Sequence, residues 1–170
     1  VYICPMACLG LNYSLKLKLC TRILNIMKNN YICNCYHHDF TNKNFKYWEN
    51  RNVTTDEKLI LEFIKKKKFN KKINILHIGV GNSYLYEKLS SLHIINGITI
   101  SLEEIRKSKE YNDRKYKVFY CDKMSNEINK IFQNYKFDLI VDTNLKSYSC
   151  CQKSFDFMFK NFANLLTING

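Results

Sequence analysis

The residues best placed to do chemistry are two glycines and two aspartates. Gly79 and Gly81 interrupt ILHIGVGNSYLYEKL, residues 75–89, where a short apolar run stops and a helical pattern starts at once. A strand, a tight turn and a helix in that order let backbone approach a nucleotide-like ligand with no side chain in the way. Asp122 closes the apolar stretch VFYCD and Asp142 closes FDLIVD, so each carboxylate stands at the end of an expected strand. A carboxylate there can accept hydrogen bonds from amino or hydroxyl groups, or take up a proton. A third group, Cys33, Cys35, His37 and His38 with Cys4 and Cys8 upstream, consists of soft metal ligands. Its C-x-C and C-x3-C pairs depart from the repeated two-to-four-residue gaps of zinc sites, so no metal is expected, and reduced thiols in a small apolar segment are the plainer reading.

The elements that must position these residues alternate. Short apolar segments rich in β-branched and aromatic residues predict strands at about 73–79, 97–101, 116–121 and 137–142. Helices are expected between them at about 83–93, 102–111 and 124–134, and a last one at about 150–166. Their apolar faces would carry Leu85, Leu89 and Leu92, then Ile128, Ile131 and Phe132, and finally Phe155, Phe159, Phe162 and Leu166. Alternation of this kind implies an α/β fold with a parallel sheet and right-handed crossovers. Upstream, Thr54 and Glu57 fit a capping box that opens an amphipathic helix with Leu59, Ile60, Phe63 and Ile64 on one face.

The 170 residues are enough for one domain with a substantial core. Residues 45–170 form that domain, expected to be partial, because the turn signal Thr167-Ile168-Asn169-Gly170 comes after the fourth strand and its helix, leaving a fifth strand missing. Residues 1–44 are a separate segment. It alternates apolar and polar residues from Leu9 to Leu19, as a half-buried strand would, but Met27 is an equally good native start.

A net charge of +12 raises the question of nucleic acid. Of the 27 basic residues 23 are Lys, and the longest basic run, Lys65 to Lys68, closes a predicted helix, where lysines complement the dipole and stay solvated. A solvated face is favoured over a nucleic-acid patch. No stretch resembles a secretory signal and no apolar run is long enough to span a bilayer, so a cytoplasmic setting with no membrane partner is the expectation.

The residues after the two glycines narrow the ligand. The third glycine of a dinucleotide fingerprint would fall at Tyr84, which argues against a nicotinamide or flavin cofactor, and no G-x4-G-K-[ST] occurs. The HIGVGNS text resembles the glycine motif of class I S-adenosylmethionine-dependent methyltransferases, and the likeness covers roughly residues 45–170. It implies a Rossmann-like sheet in the order 3-2-1-4 with flanking helices, the later strands of the family fold missing, and S-adenosyl-L-methionine as cofactor. The G-x-G-N-S-x-L wording is similar to a branch containing protein-lysine methyltransferases, but too short to carry a substrate.

The resemblance implies that Gly79, Gly81, Asn82 and Ser83 bring backbone to the methionine and ribose part of the cofactor. Two residues before the first glycine the family carries an acid. His77 stands there instead, either accepting from the cofactor's amino group or simply filling the core. The second strand runs into GITISLEEI, so the ribose contact falls to Ser101, Glu103 or backbone, although helix-start carboxylates also serve the helix dipole alone. Asp122, with Lys123 and Met124 after it, matches the position that accepts from the adenine amino group, or it caps the next helix. Ile100, Leu102 and Met124 are candidates to enclose the adenine ring. Asp142 and Thr143 match the place that faces the transferring methyl, with Asp142 the best candidate base and His37 or His38 distant alternatives. Trp48 and Arg51, within Tyr47-Trp48-Glu49-Asn50-Arg51, resemble a segment folded over the cofactor, though aromatic lid or core packing is an equal reading. The single proline, Pro5, rules out the proline-rich tetrapeptide and the Pro-Cys nucleophile of DNA base methylation. The implied activity is methyl transfer to an acceptor, small molecule or protein, that the sequence does not name. A non-catalytic domain of the same fold and a nucleotide-dependent oxidoreductase stand as alternatives.

Overall fold

The structure, a computed structural model, describes Cys33 and residues 52–143, 149–168 and 170. In chain order the elements are α1 (Thr55–Lys66), β1 (Asn74–Ile78), α2 (Tyr84–Leu89), β2 (Ile94–Thr99), α3 (Leu102–Lys109), β3 (Lys117–Tyr120), α4 (Glu127–Ile131), β4 (Leu139–Asp142) and α5 (Gln152–Leu165). The four strands form one parallel sheet in the order β3-β2-β1-β4, as the alternation and the family likeness imply. Every carboxyl strand end therefore opens on the same edge, where parallel sheets take ligands.

Helices cover both faces, as parallel strands require. On one side Leu76, Ile78 and Ile98 pack with Met124, Ile128, Phe132, Met158 and Phe162. On the other, Ile75, Ile95 and Val141 pack with Leu61, Ile64, Leu85 and Leu89. Each such fully buried side chain contributes about 1.5–3 kcal/mol relative to exposure.

Several boundaries differ from the sequence expectation, each for a local reason. The expected helix 83–93 stops at Leu89, because the amides of Leu92 and His93 both turn back to the carbonyl of Leu89. The strand then begins at Ile94 rather than 97, and Leu92 is exposed. That strand ends at Thr99, since Ser101 is already the N-cap of α3. The helix expected at 124–134 shrinks to α4 because Asp122 and Ser125 form successive turns first. The buried stripe of α1 is Glu57, Leu61 and Ile64, with Leu59 and Phe63 exposed. On α5 it centres on Met158, Phe162 and Leu165, and Phe159 faces out. In both helices the apolar residues outnumber the buried ones, so periodicity alone shifts the face by a step.

The capping box is present: Glu57 N–H donates to Thr54 Oγ1, and Thr54 N–H to Glu57 Oε2 at 2.8 Å. After α5 the chain returns to the sheet, where Leu166 makes a parallel bridge to Phe137 ahead of β4. Among the described residues no helix is long and apolar enough to cross a membrane.

Candidate cofactor site

The turn after β1 is built around left-handed backbone. Gly79, Gly81 and Ser83 have φ of 68°, 55° and 61°. At Gly79 a Cβ would meet nothing within 4 Å and the residue is exposed, so its backbone faces open space. Between the glycines Val80 turns inward, and a Cβ on Gly97 of β2 would lie 2.2 Å from its Cγ1. Only glycine at 97 lets Val80 anchor the turn to the sheet.

Ser83 offsets the cost of its left-handed backbone, about 1 kcal/mol, with contacts from behind. Tyr116 donates its phenol hydrogen to Ser83 Oγ at 2.9 Å, and its ring stacks on Tyr86 with centroids 3.7 Å apart. Tyr86 in turn donates to Asp113 at 2.6 Å. Burial, then the Asp113 bond, push the Tyr86 phenol up to about 12, while the same bond leads in holding the Asp113 carboxyl below its ordinary value. Asn82 Oδ1 accepts from the Tyr84 amide at 3.3 Å, so its side chain braces the start of α2.

The end of β2 is equally closed by local bonds. Ser101 accepts from the Glu104 amide, and Glu104 accepts from Thr99 Oγ1 at 2.6 Å. Of the paired carboxylates, Glu103 is exposed and bound to Arg106 at 2.9 Å, whereas Glu104 is buried. Leu102 is exposed beside them and Ile100 is half-buried.

Asp122 Oδ1 accepts from the Met124 amide at 2.8 Å, which shapes the turn before α4, and Met124 is buried. Lys123 reaches Asp142 Oδ2 at 2.7 Å, and both side chains are more than nine-tenths buried. β3 and β4 are the two outer strands of the sheet, so this ion pair joins opposite sides across the carboxyl edge. Asp142 is thus brought to the site together with Lys123, and Thr143 comes next, half-buried.

His77 lies inside the sheet, 1% exposed, with Gly97 and Val141 as its register partners. Trp48, Arg51, His37 and His38 lie outside the described residues. Glu57 is not evident from the sequence as a site residue: it is 3% exposed and its Oε1 would be 3.7 Å from a Cβ on Gly81. The capping box is legible, but not that its carboxylate abuts the glycine turn. Tyr116 and Glu104 escape sequence reasoning likewise, since nothing in their spacing shows what they touch.

No protein-family model matches the sequence, and no curated protein is matched either. Solved structures are similar. The N-methyltransferase NodS of Bradyrhizobium japonicum WM9, in complex with S-adenosyl-L-homocysteine, aligns with a TM-score of 0.53 at 15% identity over 68% of this chain and 59% of its own. A TehB-like methyltransferase of Corynebacterium glutamicum aligns with a TM-score of 0.55 at 16% identity, over 94% and 71%. The plantazolicin methyltransferase BamL, solved with a triazolic desmethylPZN analog and S-adenosyl-L-homocysteine, gives 0.54 at 21%, over 72% and 46%. The chain thus spans less than two thirds of NodS.

Proposed function

The chain has the class I S-adenosylmethionine-dependent methyltransferase fold, and from that premise we propose that it binds S-adenosyl-L-methionine and transfers the methyl group to an acceptor. The observation that carries the proposal is Gly79. It pairs exposed backbone with a left-handed φ and open space where a side chain would be, at the carboxyl end of a central strand. A cradle of that kind fits a ligand that needs close backbone approach.

The residues that would hold the cofactor are the backbone of Gly79 to Ser83 with Asn82, then Ser101, Leu102 and Glu103 after β2, and Asp122, Lys123 and Met124 after β3. His77 belongs to the same reading beneath the turn, and Asp142 with Thr143 on the acceptor side. Trp48 and Arg51 complete it as an aromatic and a cationic cover. When bound, S-adenosylmethionine supplies a methyl group already activated on a sulfonium.

The chain's own contribution is alignment, which can lower a barrier by several kcal/mol. Val80 packed toward Gly97 and Tyr116 bonded to Ser83 brace the turn. Ser101 Oγ accepts from the Glu104 amide and keeps a hydroxyl hydrogen that can donate. Asp142 is the proposed base, taking the acceptor's proton where the acceptor must lose one; its ion pair with Lys123 fixes the carboxylate in place.

Calorimetric titration of the full chain with S-adenosylmethionine and S-adenosylhomocysteine tests the binding. Saturable heat with a thermal upshift is expected, and Gly79→Val should abolish both. No heat and no shift at millimolar ligand would retire the reading. Asp142→Asn should lower methyl transfer to a responsive acceptor about a hundredfold. Binding with no transfer to any small-molecule or protein acceptor would mark a non-catalytic domain, and tight nicotinamide binding would point to an oxidoreductase.

A further inference from the structure

The acceptor side of the molecule carries a second cluster that the methyl-transfer reading does not use. Cys33, Cys150 and Cys151 converge so that their three sulfur atoms lie within 4.8 Å of one another. Cys33 Sγ is 3.3 Å from Cys150 Sγ, and Cys150 Sγ is 3.8 Å from Cys151 Sγ. All three residues are half-buried and none is in a disulfide. The sequence spacing points away from a metal because it compares Cys33 only with its neighbours, whereas the fold supplies partners 117 residues away.

We infer that these thiols form a structural zinc site. Three thiolates around a zinc at about 2.3 Å stand about 3.8 Å apart in a tetrahedral arrangement, close to the separations already present. Binding breaks three S–H bonds, releases the protons to solvent and forms three Zn–S bonds, with no change of oxidation state. Tetrahedral zinc takes a fourth donor, water or protein. A divalent cation with three thiolates carries net negative charge, and Cys151 is the N-cap of the 14-residue α5, where the helix dipole favours it.

The placement gives the site a purpose. Ser149, next to Cys150, directs its hydroxyl to Met124 Sδ at 3.9 Å, and Met124 is a candidate wall of the adenine pocket. Zinc would therefore tie Cys33 to Cys150 and Cys151 at the start of α5, beside Ser149 and Met124. The inference rests on the sulfur geometry and stands whether or not the chain transfers methyl groups.

The test uses the full chain, reduced and freed of metal, with zinc as the probe. Zinc should bind with defined stoichiometry in competition with a chromophoric chelator, and cobalt in its place should give thiolate-to-cobalt charge transfer and a tetrahedral visible spectrum. Outer partners of zinc ligands alone are worth about ten- to hundredfold in affinity, so Cys150→Ser and Cys151→Ser should each weaken binding at least about tenfold. Cys121→Ala should not, since that thiol lies in the core and burial pushes its pKa up. In the unmutated chain, zinc should protect Cys33, Cys150 and Cys151 from alkylation, mapped by peptide mass, a readout independent of how the variants fold. Unprotected thiols, equal loss in Cys121→Ala, or an intact mass showing a Cys33–Cys150 disulfide in chain purified without reductant or chelator, would each overturn the site.

Discussion

The carboxyl ends of β1 and β2 and those of β3 and β4 are held by different means. The first pair is held mostly by bonds between near neighbours, Ser101 to Thr99, Glu104 to Ser101 and Tyr84 to Asn82, with Tyr116 to Ser83 as the long-range exception. The second pair is closed by contacts that leap along the chain, Lys123 to Asp142 over 19 residues and Ser149 to Met124 over 25. The ends of β1 and β2 thus rest mainly on local sequence, and those of β3 and β4 are joined mainly by tertiary assembly. Perturbing the second should act through charge, and perturbing the first through shape.

The sharpest way to test that contrast is Lys123→Met. It takes the lysine away from a carboxylate that is nine-tenths buried and should cost about 3–5 kcal/mol in denaturant unfolding. Lys123→Met with Asp142→Leu should recover most of the loss, because no charge is then left uncompensated. If the single change costs little, the ends of β3 and β4 are not held by that pair.

At the β1–β2 end, Gly97→Ala should cost about 1–3 kcal/mol, since its Cβ would collide with Val80 Cγ1. Adding Val80→Ala should relieve the collision. A double-mutant cycle measures that coupling, and strictly additive losses would contradict the anchoring of the turn.

The smallest effect is a pH dependence. The Tyr86 bond lowers the folded Asp113 pKa below 3.8, so its contribution is fully present above that value and is lost as pH falls through the folded value. Tyr86→Phe should therefore show a smaller loss of Tm on acidification below pH 3.8 than the parent chain. An identical loss would remove Asp113 from the supports of the turn.

The same contrast explains what could be read from the sequence. The alternation of strand and helix, the glycine turn and the Thr54–Glu57 box are legible because each depends on spacings of a few residues, whereas the strand order follows from the family likeness. The faces of α1 and α5 slip because Leu59, Phe63 and Phe159 are apolar yet exposed, and burial is decided by what packs opposite. Tyr116, the Lys123–Asp142 pair and the Cys33–Cys150 approach are products of the folded chain, with no local signature. His77 shows the limit from the other side. Its position stands out in the sequence, but only the sheet register reveals that Gly97 and Val141 flank it.

The phenol of Tyr116 bonded to Ser83 carries a last consequence. In the proposed reading, a turn whose left-handed backbone is already braced has less freedom to surrender when a guest docks, so recognition there would resemble a key entering a cut lock rather than a hand closing. The rigidity is supplied by a tyrosine that begins the approach to an outer strand, 33 residues beyond the serine it steadies. Changes far along the chain can therefore alter how readily the turn receives its ligand without touching the turn itself.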